Sequence, residues 1–287
     1  MDHNQDELPV GAPSSFDEYE EAYLAYLEEE RLIEKQKPAI SALELFRRPA
    51  LPVTSYIPGF VYAGSLNLVA GEPKAGKSTM LLHQMQAVSQ GKPFCGVDTV
   101  RTNVLYVTEQ NEASFRIEAA TIRDFTQNGN VYILLPESCP VGSWRERINF
   151  WQEKLEATES GILVIDTFSS FAQLPPGGEN DSACIADRIM ELKVLYKGRP
   201  HLAIVLVHHI RKPSSQPGAG PKQFADLRDT RGSTAIVGGV DHCIMVSKAQ
   251  QFNTRNIHSE GRFEQEQTFQ ITLLEGGYVL NGPSNRR

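Results

Sequence analysis

The sequence predicts an α/β protein built on a mainly parallel β-sheet with helices on both faces. Two observations carry that expectation. From residue 65 onward, short apolar segments of strand type alternate with longer segments rich in helix formers, the pattern of crossover-connected parallel strands. Residues Gly71–Ser78 also read Gly-Glu-Pro-Lys-Ala-Gly-Lys-Ser, a full match to G-x-x-x-x-G-K-[ST]. The run Ser65–Ala70 before it is strand-like, and Thr79–Ala87 after it is helix-forming, which is the context that this phosphate-binding pattern requires.

Residues 1–14 are polar and contain two prolines and a glycine, and read as disordered. A helix is expected from Ser15, whose hydroxyl and Glu18 have capping-box spacing. Phe16, Tyr19, Tyr23, Tyr26, Leu27 and Ile33 fall near helical periodicity, so this N-terminal helix is amphipathic, with an aromatic face opposite an acidic one. Pro38 ends it. Two uses of the face stay open, packing on its own domain and docking on a neighbouring subunit. Residues 39–64, with Pro49, Pro52 and Pro58, read as an extended lead-in. The expected organisation is therefore an acidic arm over 1–37, a linker over 38–64 and one α/β domain over 65–287.

Within that domain the strands are expected at Leu66–Ala70, Val104–Thr108, Val131–Leu135, Ile162–Asp166, Ala203–His208 and Cys243–Val246. Helices are expected at 78–90, 112–126, 143–156 and 182–197. At the C-terminus, Thr268–Leu273 and Tyr278–Leu280 flank Glu275-Gly276-Gly277, a terminal β-hairpin.

A chain of 287 residues that is 40% hydrophobic and 22% charged is an ordinary globular composition. No apolar run has the length of a membrane span, and the acidic N-terminus argues against a secretory signal, so a cytoplasmic protein with no membrane partner is expected. The four cysteines form no C-x-x-C pair, which points to free thiols in a reducing compartment. The net charge of −7 lies in the arm: residues 1–37 hold eleven acids against three bases, and the rest is close to neutral. Composition therefore leaves nucleic-acid binding through a local basic patch open.

The phosphate loop carries the chemistry. Gly71, Glu72, Pro73, Lys74, Ala75, Gly76, Lys77, Ser78 and Thr79 form the segment whose backbone N–H groups are expected to cradle the phosphates of a nucleoside triphosphate. Lys77 would neutralise the β/γ oxygens, and the Ser78 hydroxyl would ligate Mg²⁺. Hydrolysis needs more than a loop. Gly161-Ile-Leu-Val-Ile-Asp166 is an apolar strand ending in a carboxylate placed to complete the Mg²⁺ site; the alternative is a turn-capping aspartate. Val104-Leu-Tyr-Val-Thr-Glu109 ends in a second carboxylate, which makes Glu109 the leading general base for the attacking water against the alternative of a surface glutamate. A third strand ends in His208-His209, where either a γ-phosphate contact or a packing role is open. Adjacent residues on a strand point to opposite faces, so the pair is not expected to share a metal.

These pieces together resemble the RecA-like P-loop ATPases, and among them the RepA-type hexameric replicative helicases. The resemblance runs over residues 37–247. It is carried by Lys37-Pro-Ala-Ile40 with Leu43-Glu-Leu-Phe46, the phosphate loop, Tyr106-Val-Thr-Glu109, Val164-Ile-Asp-Thr167, His208-His209 with Lys212, and Arg231-Gly-Ser-Thr234. It implies a RecA-type core, ATP held between subunits of a hexameric ring, Glu109 as catalytic base and His209 as phosphate sensor. One position departs from the family: Val237-Gly-Gly-Val-Asp241 lacks the arginine that reaches into a neighbour's site. Arg231 or Lys248 would have to act in trans instead, or the trans contact is weak.

The loop from Arg211 to Arg231 holds Arg211, Lys212, Lys222, Arg228 and Arg231 against Asp226 and Asp229, with prolines and glycines between. Such a loop suits contact with a single-stranded nucleic-acid backbone, or is a solvated surface loop. Phe171 and Phe224 are candidates to stack on bases, with a core role as the alternative for Phe171. Three functional readings follow: a ring-forming, nucleic-acid-stimulated ATPase of helicase or recombination type; an ATPase that loads or regulates a protein partner through its N-terminal helix; and a nucleotide-gated scaffold.

Overall fold

The computed structural model describes residues 40–47, 55–175, 178, 181–196, 198–210 and 234–281. The arm helix expected over 15–37 and the basic loop 211–231 lie outside these residues. The chain divides into two units, residues 1–53 and 54–287. In the first, α1 (Ala42–Arg47) interrupts what the prolines suggested was extended chain. Its start has a local cause: the Glu44 N–H donates to Ser41 Oγ at 3.1 Å, and Ser41 N–H donates back to Glu44 Oε2 at 2.9 Å, a capping box. None of its residues is buried.

In the second unit, residues 55–62 also correct the lead-in reading. β1 (Ser55–Ile57) and β2 (Val61–Tyr62) pair antiparallel, and Tyr56, Ile57, Phe60 and Val61 are buried in the main core. Pro58 sits in the turn between the two strands, and the apolar residues of this small hairpin supply the burial.

The main sheet has nine strands in the order β11-β10-β9-β8-β3-β7-β6-β4-β5. Its parallel part comprises β3 (Leu66–Gly71), β4 (Asn103–Thr108), β5 (Val131–Leu134), β6 (Ser160–Asp166), β7 (Ala203–His209) and β8 (His242–Lys248). Alternate residues along these strands enter two separate cores, as the period of two dictates. Val69, Val104, Tyr106, Val164, Val205 and Val207 face one core with α2 (Lys77–Gln90) and α3 (Glu112–Ala120). Leu66, Leu68, Leu105, Val107, Leu163, Ile165, Ile204 and Leu206 face the other with α4 (Trp144–Thr158) and α6 (Ser182–Leu192). Short α5 (Phe168–Phe171) follows β6 and packs Phe168 and Phe171 into the second core, so Phe171 is a core residue.

The expected hairpin is present as β10 (Gln267–Leu274) and β11 (Gly277–Leu280). It continues into β9 (Thr254–Gly261), which pairs antiparallel with β8. β9 reads Thr-Arg-Asn-Ile-His-Ser-Glu-Gly and has no apolar alternation, so it escapes pattern reading. Two of its buried polar side chains are held by hydrogen bonds instead: Asn256 donates to the Lys248 carbonyl at 3.4 Å, and Ser259 bonds His242 at 2.9 Å. Helix α7 (Thr234–Gly239) was likewise not expected. The helix expected over 112–126 ends at Ala120, and residues 125–127 form a separate 3₁₀ turn after Asp124 adopts a φ of 60°. Among the described residues no helix is long and apolar enough to cross a membrane.

Helix α4 opens with a capping box in which Ser143 and Glu146 bond reciprocally, and it anchors Trp144, Ile148, Trp151 and Leu155 in the second core. Replacing Ser143 with Ala removes an acceptor from the first turn and is expected to lower stability by about 1 kcal/mol, read from urea denaturation with an unchanged slope.

Candidate functional site

Strand β3 is flanked on both sides by parallel partners, with Gly71 opposite His209 of β7 and Val246 of β8. The chain leaves the sheet at Gly71 under close constraint: a Cβ there would lie 2.3 Å from the Val246 carbonyl oxygen, so only glycine fits. The loop then turns through left-handed φ at Lys74 (62°) and Gly76 (93°) and is closed by the Ala75 N–H donating to the Glu72 carbonyl at 3.1 Å. Backbone turned this way collects N–H groups on a concave side, which is an anion-binding form. Pro73 and Lys74 are exposed, Glu72, Ser78 and Thr79 half-buried, and Ala75 and Lys77 buried. Gly76 is the N-cap of α2 and supplies no side-chain acceptor, so the first-turn N–H groups and the positive end of the helix dipole face the loop.

Lys77 is 3% exposed. Its Nζ donates to the carbonyls of Gly71 at 2.9 Å and Glu72 at 3.0 Å and reaches His209 Nδ1 at 2.9 Å. An ammonium group only donates, so His209 Nδ1 is the acceptor and the ring proton sits on Nε2. Burial pulls the lysine down from 10.5 to about 8, against the opposing pull of Asp166 and Glu109. Burial also lowers His209, with Lys77 adding to the effect. His208 points to the opposite face and is 7% exposed. It is pushed down to about 4, chiefly by burial, with His209 and Lys77 as lesser causes.

Asp166, the last residue of β6, is 3% exposed. It accepts the Tyr106 hydroxyl at 2.7 Å, and Ser78 hydrogen-bonds it from the start of α2. Burial raises its pKa, partly offset by those two hydrogen bonds, while the Glu109 and Glu118 carboxylates push it further up. A cation would restore the charged form. Serine hydroxyl and carboxylate are hard oxygen donors that suit Mg²⁺, which takes few protein ligands and fills its shell with phosphate oxygens and water. Among the described residues no group of three or more His, Cys, Asp or Glu forms a metal cage.

Glu109 follows β4 and is exposed. Its N–H donates to the Asp166 carbonyl at 2.7 Å, and its carboxylate accepts from Thr167 Oγ1 at 2.9 Å and from Ser170 Oγ. A third carboxylate was not singled out in the sequence. Glu118 of α3 accepts from Thr79 Oγ1 at 2.7 Å and from Gln110 Nε2 at 2.8 Å, which ties the end of the loop to the segment after Glu109. The tertiary structure thus brings Lys77, Ser78, Asp166, Glu109 and His209 to one edge of the sheet and adds Tyr106, Thr167, Ser170 and Glu118. The run Thr167–Ser170 was a legible hydroxyl cluster; Glu118 had no local signal.

Lys248 ends β8, is exposed, and stands opposite Arg255 of β9. Arg211, Lys212, Lys222, Arg228 and Arg231 lie outside the described residues.

The chain matches the AAA domain family over residues 35–215. It is 24% identical over 224 residues to the DNA repair protein RadA of Streptococcus pneumoniae, an alignment covering 77% of this chain and 47% of that protein. The chain therefore spans about half the length of this curated relative. The crystal structure of a KaiC-like protein from Pyrococcus horikoshii OT3 superposes with a TM-score of 0.51 at 14% identity, covering 79% of this chain and 93% of that one. The fold is that of the RecA-like P-loop ATPases.

The buried lysine generates a pH signature. Its folded pKa of about 8 lies below its ordinary 10.5, so between those values the unfolded chain binds more protons and stability rises with pH. Below pH 8 the penalty is fully present. Lys77→Met is therefore expected to stabilise the nucleotide-free protein at pH 7, with the advantage shrinking between pH 8 and 10, measured as the difference in urea-unfolding free energy from wild type across that range.

Proposed function

The chain belongs to the AAA domain family, and from that premise we propose that it is an Mg²⁺-dependent ATPase that hydrolyses ATP at the carboxyl edge of its parallel sheet. The observation that carries the reading is the convergence of Lys77, Ser78, Asp166, Glu109 and His209 around one loop whose N–H groups carry no side-chain cap. Gly71–Thr79 would hold the phosphate chain, with Lys77 exchanging its two carbonyl partners for β/γ oxygens. Ser78 and Asp166 would hold Mg²⁺, which when bound neutralises phosphate charge and orients the terminal phosphoryl group. Glu109 is the general base. Its carboxylate is exposed toward solvent yet held by Thr167 and Ser170, so it is positioned without being sequestered. His209 bonds Lys77 directly, which couples any movement of the lysine toward phosphate to the base of the segment after β7.

We further propose that the protein forms a ring and that single-stranded nucleic acid stimulates turnover. Support comes from the basic composition of Arg211–Arg231, from the exposed position of Lys248 as a trans-acting cation, and from the relative titled as a DNA repair protein. The RepA-type helicase resemblance points the same way. ATPase rate with and without single-stranded DNA, read beside mass from light scattering, tests this. A DNA-insensitive rate would favour the protein-partner ATPase.

Glu109→Gln is expected to keep ATP affinity while lowering kcat by about 10²–10⁴-fold, because the amide cannot accept the proton from water. Lys77→Ala is expected to lose affinity itself. Wild-type turnover in Glu109→Gln would remove that residue from the chemistry. Titration with a fluorescent ATP analogue, together with phosphate release, separates the two effects.

A further inference from the structure

We infer that Arg255 is a phosphate ligand supplied in cis, completing the nucleotide site from a strand with no recognisable motif. The argument begins at Gly76. A Cβ on that residue would lie 2.5 Å from Arg255 Nε, 3.0 Å from one terminal nitrogen and 3.2 Å from the guanidinium carbon. The edge of the guanidinium group that carries Nε and that terminal nitrogen therefore meets the backbone of the phosphate loop, one residue before Lys77. Glycine at 76 serves two ends at once, a φ of 93° and room for this contact.

The donors of Arg255 are largely unused. One terminal nitrogen donates to the Thr254 carbonyl at 3.0 Å, and Nε is buried with no hydrogen-bond partner. Among the described residues no carboxylate forms an ion pair with it. A buried arginine donor without an acceptor is uncommon in a finished native site, and it marks a place where an oxygen ligand is expected. The anion that the adjoining loop is built to hold is a nucleoside triphosphate, whose phosphate oxygens match the planar fork of a guanidinium.

Position makes the contact specific. Arg255 lies in β9 between two antiparallel neighbours, opposite Lys248 on one side and Ile271 on the other. Residues directly opposite share a face, so Lys248 adds a second cation to that side of the sheet. A side chain on a paired central strand is held more precisely than one on a loop. Arg255 serves its own subunit's nucleotide, which distinguishes it from a trans-acting finger.

This inference rests on the reading that Gly71–Thr79 binds a nucleotide. The test uses the full chain, with Arg255→Met to remove the donors at similar length and Arg255→Lys to keep the charge. Probes are a fluorescent ATP analogue, its ADP counterpart, and inorganic pyrophosphate as competitor. Arg255→Met is expected to weaken all three by about tenfold to a hundredfold, the range for loss of a hydrogen bond to a charged group. Arg255→Lys should recover part of that loss. The melting temperature of nucleotide-free Arg255→Met should match or exceed wild type, because a buried unpaired donor has been removed. Unchanged nucleotide affinity in Arg255→Met overturns the inference and leaves the nucleotide reading standing. Loss of affinity together with a lowered melting temperature in the nucleotide-free protein overturns it in favour of a strut for the loop. Unchanged pyrophosphate competition overturns the phosphate assignment. A wild-type protein that takes up no nucleotide overturns the underlying reading, and the inference falls with it.

Discussion

Parallel pairing sets Gly71 opposite His209 and Thr108 opposite Asp166, and the chemistry of this protein depends on that register. The phosphate loop, the histidine, the aspartate and Glu109 come from four different strands or strand ends. They meet because those strands stop at the same edge of the sheet. A slip of one residue would turn each side chain to the opposite face and exchange the two cores. The hydrophobic patterning forbids such a slip: Val69, Val164 and Val205 belong to one core and Leu68, Leu163 and Ile204 to the other. Burial on both faces thus holds the register, and the register holds the site.

That edge combines low exposure with opposed charges. Lys77 and Asp166 are each 3% exposed, and burial moves each toward its neutral form. The nucleotide-free protein limits the penalty by hydrogen bonds, the lysine to two loop carbonyls and His209, the aspartate from Tyr106 and Ser78. These are internal substitutes for a ligand. A phosphate chain with a divalent cation would replace them with full opposite charges in a poorly screened place, where electrostatic interactions are stronger than at an open surface. In the function proposed above, the same desolvation that destabilises the free protein favours the bound one.

Much of this arrangement is legible in the sequence because its signals are local. The phosphate loop occupies consecutive residues, and the strands that carry Asp166, Glu109 and His209 are short apolar runs ending in a polar group. Each was recognisable without knowledge of its neighbours. Where local signals were weak or pointed elsewhere, the reading failed. Prolines at 52 and 58 suggested extended chain, yet residues 55–62 pair and bury Tyr56, Ile57 and Phe60. β9 is polar along most of its length, and its strand state comes from ladder pairing with β8 and β10 rather than from propensity.

The sequence by itself determined the α/β class, the phosphate loop and which carboxylates end the core strands, because those features are written in contiguous residues and their periodicity. The tertiary structure decided the partners. Lys77 and His209 are 132 residues apart, Tyr106 and Asp166 are 60, and Arg255 reaches Gly76 from the innermost strand of the antiparallel extension. Contacts at such separations depend on strand order and register, which arise from the simultaneous packing of two cores. No local pattern encodes which distant donor will face which loop, and so Glu118 and Arg255 became visible only in the folded chain.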